Sequence, residues 1–140
     1  MSVTEARNQQ APAEVVAAVQ AIMQRLERAW NSADGTAFGD PFNPVADFVA
    51  IRGDMHTGRD AIAAGHQQIF DTIYAGSTVR YQVLQARELD DRVILAHARG
   101  TSSAPSGPLA GEHACTITVV LVKRDEQYEI ASYHNTLVTS

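Results

Sequence analysis

The chain has one cysteine, Cys115, so no intrachain disulfide can close, as fits a reducing compartment. Long hydrophobic runs are also missing. Apolar stretches such as Val119 to Val122 fall far short of the roughly 20 residues of a membrane-spanning helix. No lysine-flanked apolar run opens the chain, so a cytoplasmic protein without membrane contact is expected. Basic charge is sparse. Eleven Lys and Arg against sixteen Asp and Glu give a net charge of −5, and the cations are scattered, which argues against a nucleic-acid partner. There is no internal repeat, no glycine-rich dinucleotide fingerprint and no flavin motif, so no cofactor is expected. His56, His66, His97, His113 and His134 are too widely spaced for a familiar zinc pattern, and no metal is expected. Ser102, Ser103 and Ser106 lack a nucleophile-elbow context, which argues against serine hydrolysis.

What remains is a 140-residue chain with 45% apolar content, enough for one domain with a core of its own. Residues 1–12 read as a flexible leader and residues 13–140 as the domain. From Pro12, the spacing of Val15, Val19, Ile22, Leu26 and Ala29 predicts a long amphipathic helix, ended by Asn31 to Gly35. A short second helix is expected over Thr36 to Phe42, closed by Pro41 and Pro44. Asp47 to Arg52 and Met55 to Thr57 read as a small hairpin around Gly53-Asp54. Arg59 to Tyr74 regains the helical period and stops at Gly76. The rest alternates as strands: around Val79 to Val83, then Val93 to Thr101, Ala114 to Lys123 and Tyr128 to Leu137. The loop Ser102 to Gly111 reads as a flexible rim. Helices followed by hairpin strands predict an α+β fold, about three helices on one curved, mainly antiparallel sheet.

Ala29-Trp30-Asn31 closing a long helix, Asp47 to Gly53, Gly58-Arg59-Asp60-Ala61-Ile62 with His66 and Phe70, and a final Tyr133-His134-Asn135-Thr136 together carry a family likeness. The chain resembles the SnoaL-like, cystatin-like cone superfamily of nuclear transport factor two, ketosteroid isomerase and polyketide cyclases, nearest the small bacterial group named after SgcJ and EcaC. The likeness spans roughly residues 13 to 138. It implies a cone with a pocket at its hollow end and a homodimer through the open sheet face. The superfamily includes isomerases, dehydratases, epoxide hydrolases and binding subunits, so the likeness does not fix the reaction.

Candidate residues follow from helix and strand periods. His66 shares a helix face with Ile62 and Ile69, so it is either a hydrogen-bonded core residue or a pocket group suited to proton transfer. Regular alternation in the last strand places Tyr128, Ile130, Ser132, His134 and Thr136 on one face, with Ala131, Tyr133, Asn135 and Leu137 on the other. The resemblance implies that His134 or Asn135 points inward. His97, Arg99 and Thr101 share a strand face that meets solvent, a subunit partner or a pocket. An inward Arg99 would favour an anionic or enolic ligand. Asp34, Asp54 and Asp60 suit capping and turns, whereas Asp47 begins a strand that leads to the pocket mouth in relatives. The ketosteroid isomerase constellation is absent, because the first strand ends in Arg52 and His113 to Lys123 holds no acid.

The sequence therefore predicts a pocket for a small hydrophobic or polyketide-like molecule. His66, His134 and Asp47 are the candidate acid/base groups, and Trp30, Phe70, Tyr81, Arg99 and Asn135 the candidate ligand contacts. Two alternatives stand beside lyase or isomerase chemistry: a noncatalytic binding or accessory dimer, and a domain whose own side chains fill the cone.

Overall fold

A computed structural model describes residues 11–139. The expected leader mostly falls outside the described residues. Its last part is docked: Ala11 is buried and its N–H donates to the Ala86 carbonyl at 2.8 Å.

Helix α1 spans Ala13–Asn31 and buries Val19, Ile22, Met23, Leu26 and Ala29, the stripe its period predicts. Helix α2 covers only Gly35–Gly39, capped by the Asp34 side chain, which accepts from the Ala37 N–H at 3.0 Å. The expected continuation to Phe42 is overturned, because Phe42 already pairs with Ile130 as the start of strand β1, Phe42–Val49. Pro44 is tolerated there because it falls in the irregular interval between the Phe42 and Asp47 pairs. A turn at 50–54 leads to β2, Met55–Thr57, in register Phe48 with His56. Helix α3, Arg59–Asp71, is followed by β3 (Thr78–Asp90), β4 (Val93–Ala104), β5 (Gly111–Arg124) and β6 (Gln127–Leu137). No helix among the described residues is long and apolar enough to cross a membrane.

The six strands form one curved sheet in the order β2-β1-β6-β5-β4-β3, antiparallel except where β1 runs parallel to β6. The architecture is the expected α+β cone. Its concave face is a run of alternate side chains: Ile94, Ala96, Ala98 and Gly100 on β4, opposite Leu121, Val119, Ile117 and Cys115 on β5. Three single-residue bulges, at Leu84 and Leu89 in β3 and at Ala131 in β6, interrupt the pairing and let long strands bend around the helices. Small residues on β4 make room for larger ones. A methyl group on Gly100 would come within 2.9 Å of Cys115 Sγ and 3.2 Å of the Tyr81 ring.

Helix α1 also protects the free edge of β3. Asn31 holds Val79 at both ends, accepting from its N–H at 2.7 Å and donating to its carbonyl at 3.1 Å, and Glu27 accepts from the Tyr81 N–H at 2.8 Å. Side chains here complete an edge that would otherwise invite another strand.

Helices α2 and α3 approach closely through Gly35 and Gly39. A Cβ on Gly35 would lie 2.5 Å from the Ala63 carbonyl oxygen and 2.9 Å from the Gln67 nitrogen, both rigid backbone. Gly35→Ala should therefore cost about 1–3 kcal/mol of stability, read as a lower urea midpoint. A variant that unfolds with the parent would show that this helix contact is loose.

Candidate functional site

A cavity of about 150 Å³ opens between α3 and the β1–β2 hairpin. Its walls are largely apolar, with Phe48, Ala50, Ile51, Ile69, Ile73 and Leu109, and its polar groups are His56, His66, Tyr74, Arg52 and Asp54. A narrower chamber of about 40 Å³ continues inward between α1, β3, β5 and β6. The two share Ile51, Tyr74 and Leu109 and so lie side by side. A broader groove of about 250 Å³ near Arg25, Arg28, Asp34 and Asp40 lies on the helical surface. Its charged groups are exposed, so solvent already satisfies them.

His66 is the central polar residue and is 4% exposed. Its ring stacks on Phe38 at 4.0 Å and meets the Phe48 ring edge-on at 4.7 Å. Nδ1 lies 2.8 Å from the Ile62 carbonyl. A carbonyl oxygen can only accept, so the proton of the neutral ring sits on Nδ1, and Nε2 is left as the acceptor available to the cavity. Burial drives the imidazole pKa down to about 4; the bond to Ile62 opposes this, and nearby His56 adds to it.

Of the proposed ligand contacts, Trp30, Tyr81 and Asn135 line the inner chamber. The Trp30 Nε1–H donates to Ser77 Oγ at 2.9 Å. Tyr81 is half-buried as a residue, yet its hydroxyl sits in the protein interior, hydrogen-bonded to Tyr133, and desolvation raises its pKa. Phe70 is core. It packs on Trp30 at 5.0 Å and on His66 at 6.0 Å without forming cavity wall.

Three expected positions are corrected. His134 is exposed on the convex face, because the bulge at Ala131 changes the phase of β6: Ile130 faces inward, and so do Tyr133 and Asn135. Asp47 is exposed on that outer face, opposite in phase to buried Phe48, and accepts from Thr57 Oγ1 at 3.3 Å. Arg99 also points outward, since Ala98 and Gly100 are the buried neighbours on its strand. His66 thus stands in the cavity without His134, Asp47 or Arg99.

His56 takes the place expected for a second histidine. It pairs with Phe48 across the hairpin and lies beside Gly65, where a Cβ would be 3.2 Å from its Cε1. The available signal was the two-residue period across the Gly53-Asp54 turn, which puts His56 on the face of Phe48. Asp54 and Arg52 reach the rim from that turn as exposed charges. Among the described residues, no three His, Cys, Asp or Glu side chains gather as a metal site.

A family model described as the SnoaL-like domain matches residues 19–139, and the chain belongs to that family. Among solved structures it is similar to a domain of unknown function with a cystatin-like fold from Nostoc punctiforme PCC 73102, 26% identical over 93% of this chain and 81% of that one, TM-score 0.83. It is also similar to an uncharacterized protein with a cystatin-like fold from Caulobacter vibrioides, 25% identical over 91% and 92%, TM-score 0.80. A ketosteroid isomerase-like protein from Erwinia carotovora atroseptica SCRI1043 shares the fold at 15% identity over 92% and 100%, TM-score 0.75. No curated protein matches the sequence.

The lowered pKa of His66 has a pH consequence. Between the unfolded value of 6.5 and the folded value of about 4, the unfolded chain binds more protons, so stability falls as pH drops through that window. The loss amounts to about 3 kcal/mol once both states are protonated. His66→Phe should flatten this part of the stability–pH profile, measured by urea unfolding from pH 7 to pH 4. An unchanged acid slope would assign the effect to other groups.

Proposed function

We propose that this SnoaL-like chain takes a small, mainly hydrophobic molecule of one or two rings into the cavity and moves a proton on it, as an isomerase or lyase does. The observation that carries this reading is His66: a neutral imidazole held by Ile62 in an apolar, aromatic-walled cavity, with Nε2 free to accept. Such a nitrogen can take a proton from a carbon next to a carbonyl, or hold a ligand hydroxyl. A cavity of about 150 Å³ is of the size that accommodates a benzene ring, which favours compact aromatic ligands over extended polyketides.

A second reading, capture without conversion, is favoured by one observation. A histidine pushed down to about 4 is a weak base, and the carboxylate at the cavity, Asp54, is exposed at the rim. The same pocket would then hold its ligand unchanged.

The convex sheet face supports a homodimer. Leu95, Val120 and Val122 are half-buried there, and the Arg99 Nε–H is buried without a partner. A second copy would cover the apolar groups and supply acceptors to Arg99.

Both readings are separated by incubating the protein with 2-indanone in D₂O. The enzyme reading expects deuterium to enter the carbons beside the carbonyl faster than in buffer, with His66→Phe returning the rate to background. Binding without accelerated exchange would support capture, and absence of binding would remove the pocket from both. The dimer is tested by light scattering: the parent should show twice the chain mass and Val120→Arg the mass of one chain. A monomeric parent would sink that proposal.

A further inference from the structure

The inner chamber holds one unmet demand. Asn135 Oδ1 is buried and has no hydrogen-bond donor. The side chain stands on the concave face of β6 across from Ile117, and the last pair between β1 and β6 is Val49 with His134, so no β1 residue pairs beyond it. Ile51 and Leu109 line the chamber with it, and neither side chain can donate. Of the nearby donors, Trp30 Nε1 is committed to Ser77 and the Cys115 thiol to the Gly100 carbonyl at 3.7 Å, and the Tyr74 and Tyr81 hydroxyls on the chamber wall make no hydrogen bond to Asn135 Oδ1. The Tyr133 hydroxyl is bonded to Tyr81. Buried polar atoms are nearly always paired, so a bare amide oxygen at a chamber wall calls for a donor from outside the chain.

We propose that the inner chamber is a recognition subsite in which Asn135 Oδ1 accepts a hydrogen bond from an N–H or O–H on the leading edge of a small planar aromatic ligand. This rests on the pocket reading above and adds what the ligand must carry. The chamber, about 40 Å³, is too small for a ring and suits a polar terminal group. Ring atoms belong in the larger cavity, and the shared residues Ile51, Tyr74 and Leu109 mark the passage between. An apolar leading edge would leave the buried amide oxygen without a donor. Sites with such a buried polar group discriminate strongly against analogues that lack the matching one.

Indole and benzofuran test this directly, since their shapes are nearly the same and only indole has an N–H. Calorimetric titration of the full chain should give indole the tighter binding by about tenfold. Asn135→Leu should bring the two together by weakening indole while benzofuran holds or improves. Asn135→Ala serves the same comparison if the leucine variant does not fold. Equal binding of the two by the parent protein would overturn the subsite and leave the pocket standing, and so would a preference that survives in the folded variant. Failure of both molecules to bind would overturn the pocket reading and the subsite with it.

Discussion

One extra residue in β6 governs what the cone contains. Ala131 sits between the Ser132–Val120 and Ile130–Leu121 pairs without a partner of its own. That insertion allows Ile130 and Tyr133 to share the concave face although three positions separate them. Tyr133 then stacks on Phe48 at 4.5 Å with the rings nearly parallel, and Phe48 presents its face to the edge of His66. A regular β6 would turn Tyr133 and Asn135 to the outside, and the aromatic packing behind the cavity would lose its central ring.

The aromatic packing in turn decides the chemistry of His66. An imidazole among Phe38, Phe48 and Phe70 meets little but ring carbon, so charge on it is disfavoured, and its one strong polar contact is to the carbonyl of its own helix at Ile62. The ring's orientation and tautomer are therefore fixed by neighbours that need no ligand. Preorganisation of this kind suits either proton transfer or selective binding.

Much of the fold was legible because burial follows period. The α1 stripe and the alternation of β4 survive intact in the structure, since both are regular elements with one buried face. The candidate site was less legible where a local irregularity intervened. Strict alternation put His134 on one face with Ile130 and left open whether His134 or Asn135 points inward, and only the pairing register shows the residue that breaks the phase. His56 was not among the candidate site groups, although the two-residue period carried from Phe48 across the Gly53-Asp54 turn points to its face. His66 was identifiable from helix phase, and Asn135 entered only through the resemblance, as the alternative to His134. The neutral state of His66 and the unpaired oxygen of Asn135 depend on contacts from distant segments that no local pattern encodes.

The loop between β4 and β5 reaches into the seam between the two chambers. Leu109 borders both chambers, and the loop that carries it is seated against the end of α3. There Gly107, at φ +92°, leaves no room for a side chain over the Ile73 carbonyl, and Pro105 lies against Gly76. A molecule reaching from one chamber into the other would therefore pass this leucine at its middle, so the β4–β5 loop shapes both chambers from a single anchor.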